Sequence, residues 1–402
     1  MKTIKFIVIL VLIGIIGLGG YAFSQYQLIL KEVAPIQTIT FNDQTINYKS
    51  STVTYYLLNG LIPIKREFQN LDSLTLVSSH IVNKLSVTSS DEIAITYPDQ
   101  TIATIDGTDT IALEENGTYL FKIKRILDNT VYYFAFSVEV ESYPTISISN
   151  TNPVQGELLI VQIDNINSDS TITIDNHFRP SAILQKDHSA RFYLPMAYRE
   201  EAKVYPLSVV INNVKYDYEL DVKTFEFKQI HFTVSASVTS GTVGNNDAVI
   251  QYRETIYPLY ETFETEEYWA GNFLIPVSGA RVSSSFGEMR FVNNATTPSR
   301  HSGIDYAAAC GTEVVASNSG KVEYAGFLTM IGNTIVIDHG LGLKTFYEHM
   351  DDIVITQGDM VNIGDVIGHV GTTGYSTGCH LHFQGMVKNQ SINPEFLYKI
   401  ND

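Results

Sequence analysis

The chain has 402 residues, 44% of them hydrophobic and only 17% charged, a composition that can pack and that excludes wholesale disorder. Lys and Arg number 26 against 43 Asp and Glu, a formal charge of −17, so the chain lacks the basic footprint of a nucleic-acid binder and is not suited to general adhesion on anionic lipid or polymer. Two cysteines exclude a disulfide scaffold and a multi-cysteine zinc ribbon, and at ~150 residues per domain the length predicts two or three domains.

The N-terminus opens with Lys2 and Lys5 and then runs through Phe, Ile, Val, Leu and Gly over residues 6–20, staying uncharged to Leu30. This pattern predicts a transmembrane anchor or a secretory signal over residues 1–30. The apolar run 6–23 is close to the ~20 residues that span a bilayer, and Ala22-Phe23-Ser24 offers a weak cleavage site. As an anchor, its two lysines keep the start of the chain inside. Either reading places the remainder beyond the membrane, where disulfides are permitted.

From residue 31 to 228, short β-type runs alternate with turn residues. Residues 53–58 and 61–64 flank Asn59-Gly60, residues 119–124 and 131–140 flank a stretch ending in Asp128-Asn129-Thr130, and residues 204–211 and 214–220 flank Asn212-Asn213. Each reads as a hairpin, and the spacing predicts antiparallel sandwiches. With a boundary near Tyr143-Pro144, this gives a β-rich module at 31–143 and an immunoglobulin-like β module at 144–224. Residues 225–270 read as a solvated linker with a short helix, rich in Ser, Thr, Gly and Asn and then in Glu. The single tryptophan, Trp269, follows as a packing residue at a domain edge.

Six of the ten histidines and both cysteines lie beyond residue 300. His380 and His382 are two apart in a strand-like run and so share a face, with Cα atoms roughly 6.6–7 Å apart. His301 and Asp305 would stand about 13 Å apart on a straight strand, too far to share a metal, but Gly303 lets the segment bend. His349 ends another strand-like run. Glu348 alternates away from it and is set aside as a base. Two imidazoles and a carboxylate with one position open is the ligand pattern of catalytic zinc.

In order and spacing these segments resemble the lysostaphin/LytM-type zinc endopeptidases of bacterial peptidoglycan. The resemblance runs over residues 271–398. It is carried by 276–287, His301-Ser-Gly-Ile-Asp305, 311–322, 332–340, Thr345-Phe-Tyr-Glu-His349, 361–374 and His380-Leu-His382-Phe383. It implies a mainly antiparallel β peptidase domain at 271–402 with an open groove. It also implies Zn²⁺ held by His301, Asp305 and His382, with His349 and His380 as catalytic residues whose individual roles the sequence does not divide. Cys379 and Gln384 depart from residues common in the family, and neither removes a ligand. Cys310 and Cys379 sit at odd offsets from the ligands, so a bridge bracing the site, two buried thiols and zinc ligation remain open, in that order of preference. His339 reads as structural and His369 as incidental, while Asn333 and Tyr375 are candidates to line the cleft. Asn272, Asn293 and Asn294 are candidates to cap the metal in a latent form.

The resulting expectation is a mainly β, extracytoplasmic zinc endopeptidase, membrane-anchored or secreted, that acts on peptidoglycan. No nucleic acid is expected, and any divisome or wall-synthesis partner is unknown. The alternative is a non-catalytic LytM-like scaffold or regulator of other wall enzymes, against which stands the presence of all five site positions.

Overall fold

The computed structural model describes residues 2–31, 39–46, 50–59, 61–69, 75–80, 82–86, 91–106, 110–127 and 130–400. The chain is mainly β, as its composition of short alternating runs predicts. Its first helix, Lys2–Lys31, contains a 24-residue stretch, Ile7–Leu30, with mean hydropathy 2.4, long and apolar enough to cross a membrane. That stretch fits an anchor or a signal. Contacts divide the chain into two compact units, residues 1–144 with 165–167 and residues 145–164 with 168–402.

In the first unit, a five-stranded sheet is built around the long hairpin Gly117–Leu127 and Thr130–Val140. Ile93, Ile95, Phe121, Phe136 and Val138 form its core. The hairpin expected around residue 59 pairs Ser50–Leu57 with Ile62–Gln69. Gly60 and Asp128-Asn129 of the expected turns lie outside the described residues.

The second unit begins with two sheets of four and three strands. Leu159 and Leu194 from one face Leu207 and Leu220 from the other. The hairpin Val204–Ile211 and Val214–Asp221 turns at Asn212 and Asn213, both at positive φ, where Asn is one of the few side-chain-bearing residues that sits comfortably. Beyond it lies an eight-stranded, wholly antiparallel sheet. Along its path run Arg281–Ser284, Ile304–Ala307, His380–Val387, Leu343–Met350, Gly332–Asp338, Gly320–Leu328 and Met360–Val361, with Gln390–Ile392 paired to His380–Val387. One face of this sheet buries Ile304, Tyr306, Ile335, Ile337, Tyr347, Leu381 and Phe383. They pack on Val314 and Ile367 of the three-stranded sheet Glu313–Val315, Val366–His369 and Asp352–Ile353.

The stretch 225–270 is more ordered than a solvated linker. Gln229–Phe232 pairs in parallel with Met289–Val292. Helix Asn246–Ile256, capped by the Asn245 side chain, packs Tyr252 and Ile256 against Val336, Phe346 and Met386 on the opposite face of the large sheet. Polar composition hid this because the helix buries only one stripe. Trp269 is buried with Leu158, Tyr193, Phe273 and Leu397, and its indole N–H donates to the Tyr193 hydroxyl at 3.0 Å. The 145–224 sheets and the C-terminal sheet therefore share one core.

Candidate metal centre

The site is built on one row across the large sheet. Ser284 stands opposite Asp305, Asp305 opposite His382, and His382 opposite Glu348. Directly opposed residues share a face, so all four side chains project to the same side. His380, two residues before His382, joins them.

His301 precedes the strand Ile304–Ala307 and reaches the row because the chain bends at Gly303. A Cβ there would stand 2.2 Å from the Phe383 carbonyl oxygen, so only glycine lets the two backbones approach. The result is a convergence of three atoms. His301 Nε2 lies 2.9 Å from Asp305 Oδ1 and 2.9 Å from His382 Nδ1, and His382 Nδ1 lies 2.8 Å from Asp305 Oδ1. All three residues are buried, and among the described residues they form the one group of three able to hold a metal ion.

The donor set fits such an ion. His301 Nδ1–H donates to the Ser285 carbonyl at 2.8 Å, which leaves Nε2 with its lone pair. Burial, outweighing the pull of Asp305, lowers the His301 pKa to about 4, so the ring is neutral. Burial opposes ionisation of Asp305, yet the adjoining His301 and His382 rings prevail and hold it well below the usual carboxylate range. For His382, burial disfavours the cation, but Glu348 and Asp305 outweigh it and shift the ring upward. Two imidazole nitrogens and a carboxylate oxygen aimed at one point suit zinc.

Arg290 supports the group. Its guanidinium donates to Asp305 Oδ2 at 2.5 Å and to Ser284 Oγ at 2.7 Å, fixing the carboxylate's second oxygen.

His349 lies at an irregularity where the pairing steps from Asn333↔Met350 to Ile335↔Tyr347, so Glu348 and His349 together face one residue, Thr334. Its φ is +66°. This bulge overturns the expectation that Glu348 points away from His349, since both line the same cavity. His349 Nδ1–H donates to the Thr373 carbonyl at 2.9 Å, and its ring centre is 4.9 Å from that of His380. Burial, reinforced by the His380 and His382 rings, lowers its pKa to about 3. His380 Nδ1–H donates to the Gly378 carbonyl at 2.8 Å, and its Nε2 is 3.9 Å from Asp305 Oδ1.

The cavity over these groups measures about 590 Å³, and its other wall includes Ile230, Phe232, Val234, Val243 and Tyr375. Tyr375 is thus where the sequence suggested it. Asn333 is not in the lining; its amide donates to the carbonyls of Met350 and Asp351. Asn272, Asn293 and Asn294 do not line it either, and Asn293 instead accepts from the Val234 amide. His339 is buried between the Ser319 carbonyl and Thr345, and His369 pairs with Asp352 outside the cavity. Cys310 and Cys379 form a disulfide, with Cα atoms 5.3 Å apart, next to the paired ends of Ile304–Ala307 and His380–Val387. Sequence reasoning missed Arg290 and Ser284, whose role arises only from the register, and set Glu348 aside because the bulge that brings His349 to its face has no signal in the sequence.

Residues 299–394 match the sequence profile of peptidase family M23. The "DD-carboxypeptidase/endopeptidase Mpg" of Neisseria meningitidis serogroup B is 42% identical over 125 residues, 31% of this chain and 29% of that protein. The "Peptidoglycan DD-endopeptidase ShyA" of Vibrio cholerae is 35% identical over 113 residues, 28% of this chain and 26% of that one. The chain thus spans less than a third of the length of these relatives. Among solved structures, the catalytic domain of lysostaphin from Staphylococcus simulans is 31% identical, with 30% of this chain and 92% of that chain covered and a TM-score of 0.28.

Proposed function

Taking residues 299–394 as a peptidase family M23 domain, we propose that this chain is a zinc-dependent endopeptidase that hydrolyses peptide cross-links or stem peptides of bacterial peptidoglycan. The observation that carries this is the convergence of His301 Nε2, Asp305 Oδ1 and His382 Nδ1 beside two further imidazoles in one cavity. His301, Asp305 and His382 would hold the metal. Bound there, zinc supplies Lewis acidity to the scissile carbonyl and makes water easier to deprotonate. In this reading the N-terminal helix anchors the chain or directs its export, and remodelling of the wall takes place outside the cytoplasm.

The two remaining histidines divide the proton work. Both give their Nδ1–H to a backbone carbonyl, so both present Nε2 as an acceptor. His349, strongly disfavoured as a cation, accepts a hydrogen bond from the attacking water and orients it without keeping the proton. His380 is the more open of the two, with 18% of its side chain exposed, and in this reading it takes the proton from the water and returns it to the leaving amine. The disulfide and Arg290 keep the row in place while this happens.

Elemental analysis of the full-length chain tests the metal assignment. One equivalent of zinc is expected, lost in His301→Ala. A chain that folds and binds no metal at micromolar zinc would contradict it.

A further inference from the structure

His349 is a non-glycine residue at φ +66°, a conformation that persists only where the surroundings impose it. Thr373 supplies several of the contacts that do so. Its carbonyl accepts the His349 Nδ1–H at 2.9 Å, and its own amide donates to the His349 carbonyl at 3.4 Å. Its hydroxyl donates to the Met350 carbonyl at 2.7 Å and accepts from the Asn333 amide at 3.0 Å. Asn333 and Met350 are the pair at which register resumes beyond the bulge, so this hydroxyl bridges the two strands beside His349. The Asn333 side chain adds donations to the carbonyls of Met350 at 3.2 Å and Asp351 at 2.7 Å. Gly332, at φ +74°, makes room for the bridge, since a Cβ there would lie 2.1 Å from the Thr373 hydroxyl oxygen. Thr373 does not line the cavity, so it reaches the reaction only through His349.

We propose that Thr373 is a positioning residue whose hydroxyl fixes the loop carbonyl that sets the tautomer and the aim of His349. This rests on the peptide hydrolysis proposed above. A ring whose Nδ1–H is held by a carbonyl presents Nε2 as an acceptor and cannot turn without losing that bond. Without the hydroxyl, the loop carrying the Thr373 carbonyl is no longer tied to Asn333 and Met350, and the ring loses its fixed direction. A displacement of about 1 Å at a reacting group costs on the order of 100-fold in rate, and here that loss falls on the chemical step.

The test uses the zinc-loaded full-length chain in detergent and a cross-linked peptide prepared from peptidoglycan. Thr373→Val keeps the shape and removes the hydroxyl, while Thr373→Ser keeps the hydroxyl. In Thr373→Val kcat should fall roughly 10- to 100-fold, with KM and zinc affinity within about threefold of wild type. Thr373→Ser should retain kcat within about threefold. An unchanged kcat in Thr373→Val overturns the proposal. So does an equal loss in Thr373→Ser, or a loss carried by KM or by the metal, because each marks a merely structural residue. Thr373→Ala, read in the same way, takes the place of a valine variant that fails to fold. If the wild type does not cleave the peptide, hydrolysis fails separately, and nitrogen NMR of the histidine rings decides the positioning. A His349 Nδ1–H tautomer present in wild type and Thr373→Ser, and lost or averaged in Thr373→Val, sustains it. A His349 ring that is the same in all three overturns it.

Discussion

Replacing both Cys310 and Cys379 by alanine should weaken the second unit and leave its metal affinity intact. The bridge joins residues 69 apart in sequence. In the chain-entropy account a closed loop of that size removes about 15 cal/mol/K from the unfolded ensemble, or roughly 4 kcal/mol at 25 °C. A unit of this size gains about 0.5 kcal/mol/K on unfolding, so the midpoint should fall by roughly 8 °C. Neither sulfur belongs to the group of converging ligand atoms, so zinc binding should change less than about threefold. Thermal unfolding followed by Trp269, the chain's one tryptophan and a buried one, reports on this core. A chromogenic chelator in competition reports on the metal. A midpoint within 2 °C of wild type would refute the loop argument. A folded variant that no longer holds zinc would refute the assignment of the sulfurs to bracing rather than ligation.

Other expectations follow from the same packing. Gly303→Ala places a methyl 2.2 Å from the Phe383 carbonyl oxygen and should separate the two ligand strands, with zinc affinity reduced at least tenfold and stability by about 1–3 kcal/mol; unchanged affinity by chelator competition would contradict the close approach. Trp269→Ala should cost about 3–5 kcal/mol through the cavity it leaves among Tyr193, Phe273 and Leu397, measured by denaturant titration followed by circular dichroism. His339 is fully buried, and burial lowers its pKa to about 4. Because the unfolded ring binds its proton near pH 6.5, the stability it contributes is complete above that pH and is lost as the pH falls from 6.5 to 4, by about 3 kcal/mol. In chelator-treated protein, the advantage of wild type over His339→Gln should therefore shrink across that window. An advantage independent of pH would show that the ring is not held neutral.

Much of this site is legible in the residues because its chemistry is local. His380 and His382 share a face by strand alternation alone, and Gly303 signals the bend that brings His301 to Asp305. The hairpin at Asn212-Asn213 is equally local, since two residues at positive φ need side chains that tolerate it. What stays hidden depends on register and tertiary pairing. His349 joins Glu348 in the cavity only because the strand bulges opposite Thr334. Arg290 reaches Asp305 from Met289–Val292, a strand whose position depends on its neighbour Gln229–Phe232, and polar residues following in the same stretch disguise that pairing. Trp269 marks a domain edge in sequence, but nothing local says that this edge is buried against Tyr193 of the preceding sandwich.

The central claim is that these five side chains cut peptide bonds in the wall. Purified peptidoglycan of several cross-bridge types should be incubated with the zinc-loaded full-length chain, and the soluble products analysed by mass spectrometry. His349→Ala and a chelated sample serve as controls. The account predicts new amine ends at one kind of peptide bond, absent from both controls. A folded, zinc-loaded chain that releases no fragment from any of these walls would contradict it and favour a scaffold of other wall enzymes.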